Sequence, residues 1–397
     1  MKSYKEIRLR PGKEASLQRF HPWVFSGAIA HKPEDLMEGE TVRVLSADGT
    51  FLGVGHFQIG SIAIRIMSFV DEPVDRAFYE KILGNAYRMR LALKLIRPDN
   101  TIFRLVHGEG DFLPGLIIDV YGETAVIQAH SVGIHRDLAL VTEALQHILP
   151  TDVVKHIFYK SEGTLPFKAD IFPEDNYLSG GIDVDEIAME NGLRFRIDWL
   201  KGQKTGFFVD QRENRALLEH YATGRRVLNM FCYTGGFSVY ALRGGAASVV
   251  SVDSSAKAVS ITDQNVALNF GEDARHSSYA EDAFKFLRQL SGDEKDLIIL
   301  DPPAFAKHRG AIHNALQGYK KLNLIALQKI ARGGLLFTFS CSQVISAEQF
   351  RLAVLSAAAI SGRKVRILHQ LTQPADHPVN IYHPEGEYLK GLVLQVE

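Results

Sequence analysis

The chain has 397 residues, 46% of them hydrophobic and 23% charged, with 45 basic against 46 acidic side chains for a net charge of −1. At ~150 residues per domain that length corresponds to roughly two to three domains and buries a large core without disulfide or metal staples. The ordinary composition excludes a mainly disordered, collagen-like or fibrous chain. Near-neutrality, taken alone, argues against a strong nucleic-acid binder.

No apolar run reaches the ~18 residues of a transmembrane helix. The start, Met1-Lys2-Ser3-Tyr4-Lys5-Glu6, has no apolar signal core, so a cytosolic protein without membrane attachment is expected. Two cysteines, Cys232 and Cys341, stand far apart. They make neither a disulfide framework nor a zinc site, and no metal is expected.

Short strands lead the chain. Glu40–Leu45 alternates, Asp48-Gly49 turns, and Phe51–Gly55 follows, which predicts a hairpin. Ala63–Met67 alternates again, and residues 1–75 read as a small β-barrel-like domain. Residues 75–96 have helical spacing. Strands then centre on 104–108, 115–122, 124–128 and 155–159, with a helix over 134–148, giving a small α+β domain over 76–190. Residues 160–190 are rich in acidic residues, Gly and Pro, and the junction is placed there. From 191 to 397 helices and strands alternate. Helices are predicted over 211–222, 236–244, 255–269, 315–331 and 346–361, and strands over 226–230, 248–252, 296–300, 334–339 and 364–369, with a strand-like end over 380–395. Such βα alternation gives a doubly wound parallel sheet.

Charge is uneven along these segments. Residues 1–75 carry 9 basic and 10 acidic groups, 76–190 carry 11 and 17, and 191–397 carry 25 and 19. Within 1–32 there are seven basic and two acidic residues, and within 76–97 six and one. Both clusters read either as solvated faces or as phosphate-contact footprints.

Arg226–Ser238 is a strand, a glycine turn and a helix start. Such a turn brings backbone close to a ligand and aims helix N–H groups at it. The three-glycine dinucleotide pattern is missing, so a carboxylate or amine tail suits the turn better than phosphate. Asp253 ends the next strand, seventeen residues beyond Gly236, where an acid accepts from ribose hydroxyls. Asp282 follows the third strand and is placed to accept from an adenine amino group. The fourth strand runs into Asp301-Pro302-Pro303-Ala304-Phe305, whose prolines stop it and stiffen the loop.

Four features on successive strand ends resemble the class I methyltransferases that use S-adenosylmethionine. The whole chain further resembles the bacterial 23S ribosomal RNA cytosine-C5 methyltransferase family. The stretches that carry this are His21–Gly27, Lys204–Arg212, Phe231–Phe237, Asp301-Pro302-Pro303, Ser340-Cys341-Ser342 and His383–Gly391. The resemblance implies an α/β fold, with a Rossmann-like methyltransferase domain preceded by a β-barrel-like PUA RNA-binding domain and a small α+β central domain. It implies S-adenosylmethionine as cofactor, held by Gln211, Arg212, Asn229, Phe231, Tyr233, Thr234, Gly235, Gly236, Asp253, Asp282 and Asp301. Gln211 and Arg212 clamp the donor tail in this reading; the alternative is a helix N-terminus capped by Asp210. The implied partner is 23S ribosomal RNA or the assembling large subunit, and a homodimer is compatible with the chain. Arg8, Lys13, Arg19 and His21 are the RNA-contact candidates, with a structural role beside Pro22 and Trp23 open for His21.

Gly333–Ser342 reads as a glycine turn, a buried strand and a cysteine at its carboxyl end. C5 of a pyrimidine is a poor nucleophile, and thiolate addition at C6 makes it enamine-like. Cys341 is therefore the candidate C6 nucleophile, and Cys232 the packing cysteine. Asp301 is the second candidate catalytic residue, set to hold the base edge as charge develops, or else to contact cofactor or cap its loop. Asp-Pro-Pro in place of Asn-Pro-Pro argues against amino-group methylation. Uracil C5, guanine N7 and an RNA-binding protein with an inactive methyltransferase domain are the alternatives.

Overall fold

The computed structural model describes residues 4–150, 153–166 and 171–397. The chain forms two compact units. The first comprises Met1–Met189, Ile197–Val209 and Ala375–Gly386, and the second Glu190–Arg196, Asp210–Pro374 and Glu387–Glu397.

The first unit begins with a six-stranded sheet. In chain order its strands are β1 (Lys5–Leu9), β2 (Trp23–Phe25), β3 (Ile29–His31), β4 (Thr41–Leu45), β5 (Phe51–Phe57) and β6 (Ile62–Ser68), with a short helix α1 (Ala15–Gln18). They lie in the order β2-β6-β5-β4-β1-β3, antiparallel apart from β1 beside β4. The Asp48-Gly49 hairpin forms as the sequence predicts, with Gly49 at φ 90° and the Thr50 N–H donating to Ser46 Oγ at 2.9 Å. Alternation along the strands buries Ile7, Leu9, Val42, Val44, Ile64 and Ile66 together.

Asp75 caps helix α2 (Arg76–Ala92) by accepting from the Phe78 N–H at 3.1 Å. Strands β7 (Ile102–His107), β8 (Leu116–Tyr121) and β9 (Thr124–Ala129) follow, then helices α3 (Val132–Arg136) and α4 (Leu138–Ile148), then β10 (His156–Tyr159) and β11 (Asn176–Ser179). These strands form one sheet in the order β11-β10-β9-β8-β7. The helix predicted over 134–148 is in fact two, parted at Asp137, whose carboxylate accepts from Tyr79 Oη at 2.7 Å and faces His56 Nε2 at 3.0 Å. Strand β11 falls in a stretch that sequence patterning left irregular. Phe78, Leu83, Leu116, Ile127 and Leu145 share a core with Val54 and Met67 of the first sheet.

The basic cluster at 76–97 is largely neutralised. Arg90 is fully buried; its Nη2 donates to Asp111 and to the Asp376 carbonyl at 2.8 Å, and its Nε to the Arg104 carbonyl. Arg76, Lys81 and Arg97 pair with Glu80, Glu72 and Asp99. Four of the six cations at 76–97 thus hold acids or carbonyls, and Arg88 bonds the amide oxygen of Asn85. Asp376 also accepts from the Arg104 N–H at 3.0 Å. The returning segment passes so close to Gly110 that a Cβ there would sit 1.9 Å from the Pro378 carbonyl oxygen.

His107 packs its ring 4.9 Å from that of His377. Burial, then the charges of His377, Arg104 and Arg90, push its pKa well below the usual histidine value. The unfolded chain therefore takes up a proton near pH 6.5 that the folded unit refuses, and stability falls as pH drops below that value. Urea midpoints at pH 7.5 and 5.5 should show this loss, and His107→Gln should reduce it; an unchanged pH slope in the variant would refute the assignment.

Strands β12 (Ile187–Glu190) and β13 (Leu193–Arg196) carry the chain into the second unit. There α5 (Arg212–Tyr221), β14 (Arg226–Met230), α6 (Gly236–Arg243), β15 (Ser248–Asp253), α7 (Ala256–Phe270), β16 (His276–Ala280), α8 (Ala283–Gln289), β17 (Lys295–Leu300), α9 (Ile312–Lys329), β18 (Ile330–Ser340), α10 (Ala347–Ser361), β19 (Val365–Thr372) and β20 (Lys390–Val396) alternate. The seven-stranded sheet runs β16-β15-β14-β17-β18-β20-β19, with β20 antiparallel to both neighbours. This is the doubly wound sheet predicted from the alternation. Its central strands are mostly apolar (Leu228, Met230, Ile298, Leu300 and Leu336 are fully buried) because helices cover both faces. Two expectations are corrected. Gly333-Gly334 is not a turn before the strand but a bulge inside β18, where Lys295 faces Ile330 and Leu297 faces Leu335. The predicted terminal strand is confined to Lys390–Val396, since 375–386 packs in the first unit.

Candidate active site

The chain leaves β14 in one direction for β15 and returns on its other side as β17, so the carboxyl ends of β14 and β17 flank a switch point where open α/β sheets bind ligands. The turn after β14 is tightly wound. Phe231 and Tyr233 have φ of 59° and 48°, left-handed values that cost a non-glycine residue about 1 kcal/mol or more. Neighbours hold them there. Asp253 Oδ2 accepts from the Tyr233 N–H at 3.0 Å, and α7 grips the far side, Thr262 Oγ1 donating to the Tyr233 carbonyl at 2.9 Å and Asn265 Nδ2 to the Thr234 carbonyl at 2.8 Å. Gly235 has φ 81°, and a Cβ there would lie 2.6 Å from Thr262 Cγ2, so this position requires glycine.

The predicted cofactor residues separate by exposure. Phe231, Tyr233, Asp253 and Asp301 are half-exposed and Asp282 is exposed, whereas Gln211, Arg212, Asn229, Thr234, Gly235 and Gly236 are buried. Asn229 lies beneath the turn with its Nδ2 on Ser238 Oγ at 2.9 Å, continuing through Ser251 to His276. Asp282 caps α8 through the Lys285 N–H at 2.8 Å. Gln211 donates from Nε2 to Asp301 Oδ2 at 3.0 Å and accepts from Asn214 at 2.6 Å, so it orients Asp301. Arg212 directs Nε toward Glu213 at 3.4 Å. Asp210 does not cap α5; it accepts from Tyr388 Oη at 2.7 Å.

Asp301 and Cys341 follow the parallel neighbours β17 and β18, and Cys341 Sγ lies 3.9 Å from the Pro302 carbonyl oxygen. The Cys341 turn is fastened on three sides. Ser342 Oγ accepts from the Ala306 N–H at 3.3 Å, Tyr319 of α9 meets the hydroxyls of Ser340 and Ser342 at 3.0 and 3.1 Å, and Lys390 of β20 donates to the Ser342 and Ile345 carbonyls at 2.7 and 2.6 Å. Cys232 is a packing residue. Burial pushes its thiol up to about 12, with Asp253 adding to the shift.

A family profile described as S-adenosylmethionine-dependent methyltransferase matches residues 168–382, and a PUA-like domain profile matches 7–69. Ribosomal RNA large subunit methyltransferase I of Shewanella amazonensis is 40% identical over 398 residues, covering 98% of this chain and 99% of that one. The protein of that name from Alteromonas mediterranea is 38% identical over 396 residues, covering 98% of both. The chain belongs to the ribosomal RNA large subunit methyltransferase I family. In solved structures, a Streptococcus mutans chain assigned as a SAM-dependent methyltransferase shares the fold at TM-score 0.83 and 22% identity, covering 99% of this chain and all of that one. A methyltransferase solved with SAH gives TM-score 0.84 at 23% identity, with the same coverage. Like its family, this large subunit methyltransferase I homologue uses S-adenosylmethionine. Its residues fit that group: two glycines remove side chains from the turn, and Asp253 is a half-exposed acceptor beside it.

Among the RNA-contact candidates, Arg8, Lys13 and Arg19 are exposed. His21 is half-buried, accepts on Nδ1 from the Trp23 N–H at 3.2 Å, and places Nε2 3.5 Å from Glu385 beside the ring of His383. His21, His383 and Glu385 each bring one possible ligand atom within 4.8 Å of the others, and among the described residues both ring nitrogens of His383 are buried without a hydrogen-bond partner. The salt bridge of Arg215 to Glu190, both buried, was not anticipated; Nη2 meets Oε2 at 2.7 Å and Tyr240 Oη donates to the same carboxylate at 2.9 Å. Lys390, part of a quoted motif, carried a detectable signal as a lone cation in the apolar run Leu389–Leu394.

Proposed function

We propose that this chain methylates C5 of a cytosine in 23S ribosomal RNA through a covalent adduct between Cys341 and C6 of the base. The observation that carries the reading is the cysteine itself, half-exposed at the carboxyl end of β18 and 3.9 Å from the Pro302 carbonyl of the Asp301 loop. Bound S-adenosylmethionine supplies an electrophilic sulfonium methyl. The Cys341 thiolate bonds to C6, shifting the ring electrons to C5, which then takes the methyl. Asp301, oriented by Gln211, accepts from the exocyclic amino group of the base and, carrying a proton, donates to N3 as negative charge builds there. Loss of the C5 proton to a base then expels the thiolate and restores the aromatic ring.

The chain would act in the cytosol in three parts: a PUA-like RNA-binding part over 1–75, an α+β part over 76–190, and the catalytic part over 191–397, from which 197–209 and 375–386 pack in the first unit. Arg8, Lys13 and Arg19 offer phosphate contacts, and a base within folded RNA would be flipped out. The relatives' shared name, with its large-subunit RNA substrate, supports that substrate class. The test is transfer of labelled methyl to ribosomal RNA from a strain lacking this gene, followed by nucleoside analysis. 5-Methylcytidine is expected. 5-Methyluridine, 7-methylguanosine or no transfer would overturn the proposal.

A further inference from the structure

Lys390 opens β20 opposite Ser340, is only 9% exposed, and spends two N–H groups on the carbonyls of Ser342 and Ile345. Burying an ammonium is costly unless it is paired, and carbonyl oxygens compensate only part of that cost. Among the described residues no carboxylate lies within ion-pairing distance of it. The acidic groups that face it are the Cys341 thiol and, more weakly, Glu387. Tyr319 of α9 faces the same turn through Ser340 and Ser342, and Asp301 precedes the Pro302 carbonyl beside Sγ.

We propose that Lys390 is a positioning residue for Cys341, whose ammonium pins the two carbonyls of the turn beyond the cysteine and supplies the positive charge against which its thiolate forms. The proton released goes to water. A thiolate beside a fixed ammonium is favoured at neutral pH, as in other reactive cysteine sites. Burial brings Lys390 down to about 8, so it stays mostly charged at neutral pH, and the Cys341 charge opposes the shift. Such coupling is reciprocal: what a thiolate does for the ammonium's hold on its proton, the ammonium does against the thiol's. The inference deepens the reading of Cys341 as nucleophile, but its test reads the thiol and not turnover.

That test is the pH dependence of iodoacetamide alkylation of Cys341 in the full chain, followed by mass spectrometry of the modified peptide. Cys232 serves as the silent internal control, its thiol being buried and pushed up to about 12. Lys390→Gln, which keeps N–H donors for the carbonyls but loses the charge, is expected to raise the Cys341 midpoint by about one pH unit, a tenfold drop in thiolate below it. Lys390→Arg should stay near the native midpoint. A native midpoint in a Gln variant that melts like the parent would overturn the proposal. Should the Gln variant fail to fold, Cys341→Ser provides the reciprocal reading. The Lys390 titration, followed by NMR of ε-13C-labelled lysine, should then move down, and an unmoved titration would overturn the proposal. Methyl transfer surviving Cys341→Ala would instead sink the covalent reading and leave the thiol measurement standing.

Discussion

Cys341→Ala should abolish methyl transfer, by about four powers of ten or more, while binding of S-adenosylhomocysteine stays native. Removing an obligate nucleophile typically costs several powers of ten. The substitution deletes only Sγ, whose 3.9 Å contact with the Pro302 carbonyl is weak. The bonds that fix the turn run through Ser340, Ser342, Tyr319 and Lys390 and remain in place. The bonds that hold the cofactor turn after β14 run to Asp253, Thr262 and Asn265, so loss of turnover with intact binding isolates the chemistry. Single-turnover transfer of labelled methyl, with calorimetry of cofactor binding on the same sample, gives both readings. Full activity in this variant would eliminate the covalent mechanism, and guanine-N7 methylation, which needs no thiolate, would then become the better account.

Asp253→Ala should weaken cofactor binding by roughly 10- to 100-fold, the loss expected when hydrogen bonds to a charged acceptor are removed. The carboxylate has two tasks. Its oxygens accept from the N–H groups of Tyr233 and Ser255, at 3.0 and 2.9 Å, and in the proposed complex from ribose hydroxyls as well. Alanine removes both, freeing Tyr233 from its left-handed conformation. Asp253→Asn separates them, because the amide keeps an acceptor oxygen and the side-chain shape but not the charge; its affinity should fall between parent and alanine variant. Unchanged affinity for the alanine variant by calorimetry would count against the ribose assignment.

The strand ends were legible in the sequence because each is a local signal: apolar β14 running into Gly235-Gly236, Asp253 closing β15, the prolines stopping β17. Partnerships across the chain were not. The resemblance marks Gln211 as a ligand clamp, but its neighbourhood does not show that its amide donates to Asp301, ninety residues away. Arg90 counts as positive surface charge until Asp111 and the segment after 375 fold over it. Asp137 splits a helix whose apolar spacing is continuous, because Tyr79 and His56 engage its side chain. In each case the deciding atom belongs to a distant residue that periodicity cannot see. The neutral total charge misled similarly, since it averages segments of opposite sign and counts buried cations as though they were available.

The interleaving of the two units bears on how the chain tolerates being divided. Composition favours a cut near 190, and a fragment starting there would look like a self-sufficient catalytic module. It would carry off Ile197, Trp199 and Phe207, nearly fully buried within the first unit, and leave them without their covering residues. The segment after 375 would be stranded likewise, with Asp376 losing Arg104 and Arg90 and His377 losing His107. Exposed tryptophan and phenylalanine favour aggregation, so neither unit is a cassette to be lifted out or traded between proteins. Recombination that shuffles this architecture must move the chain as a whole.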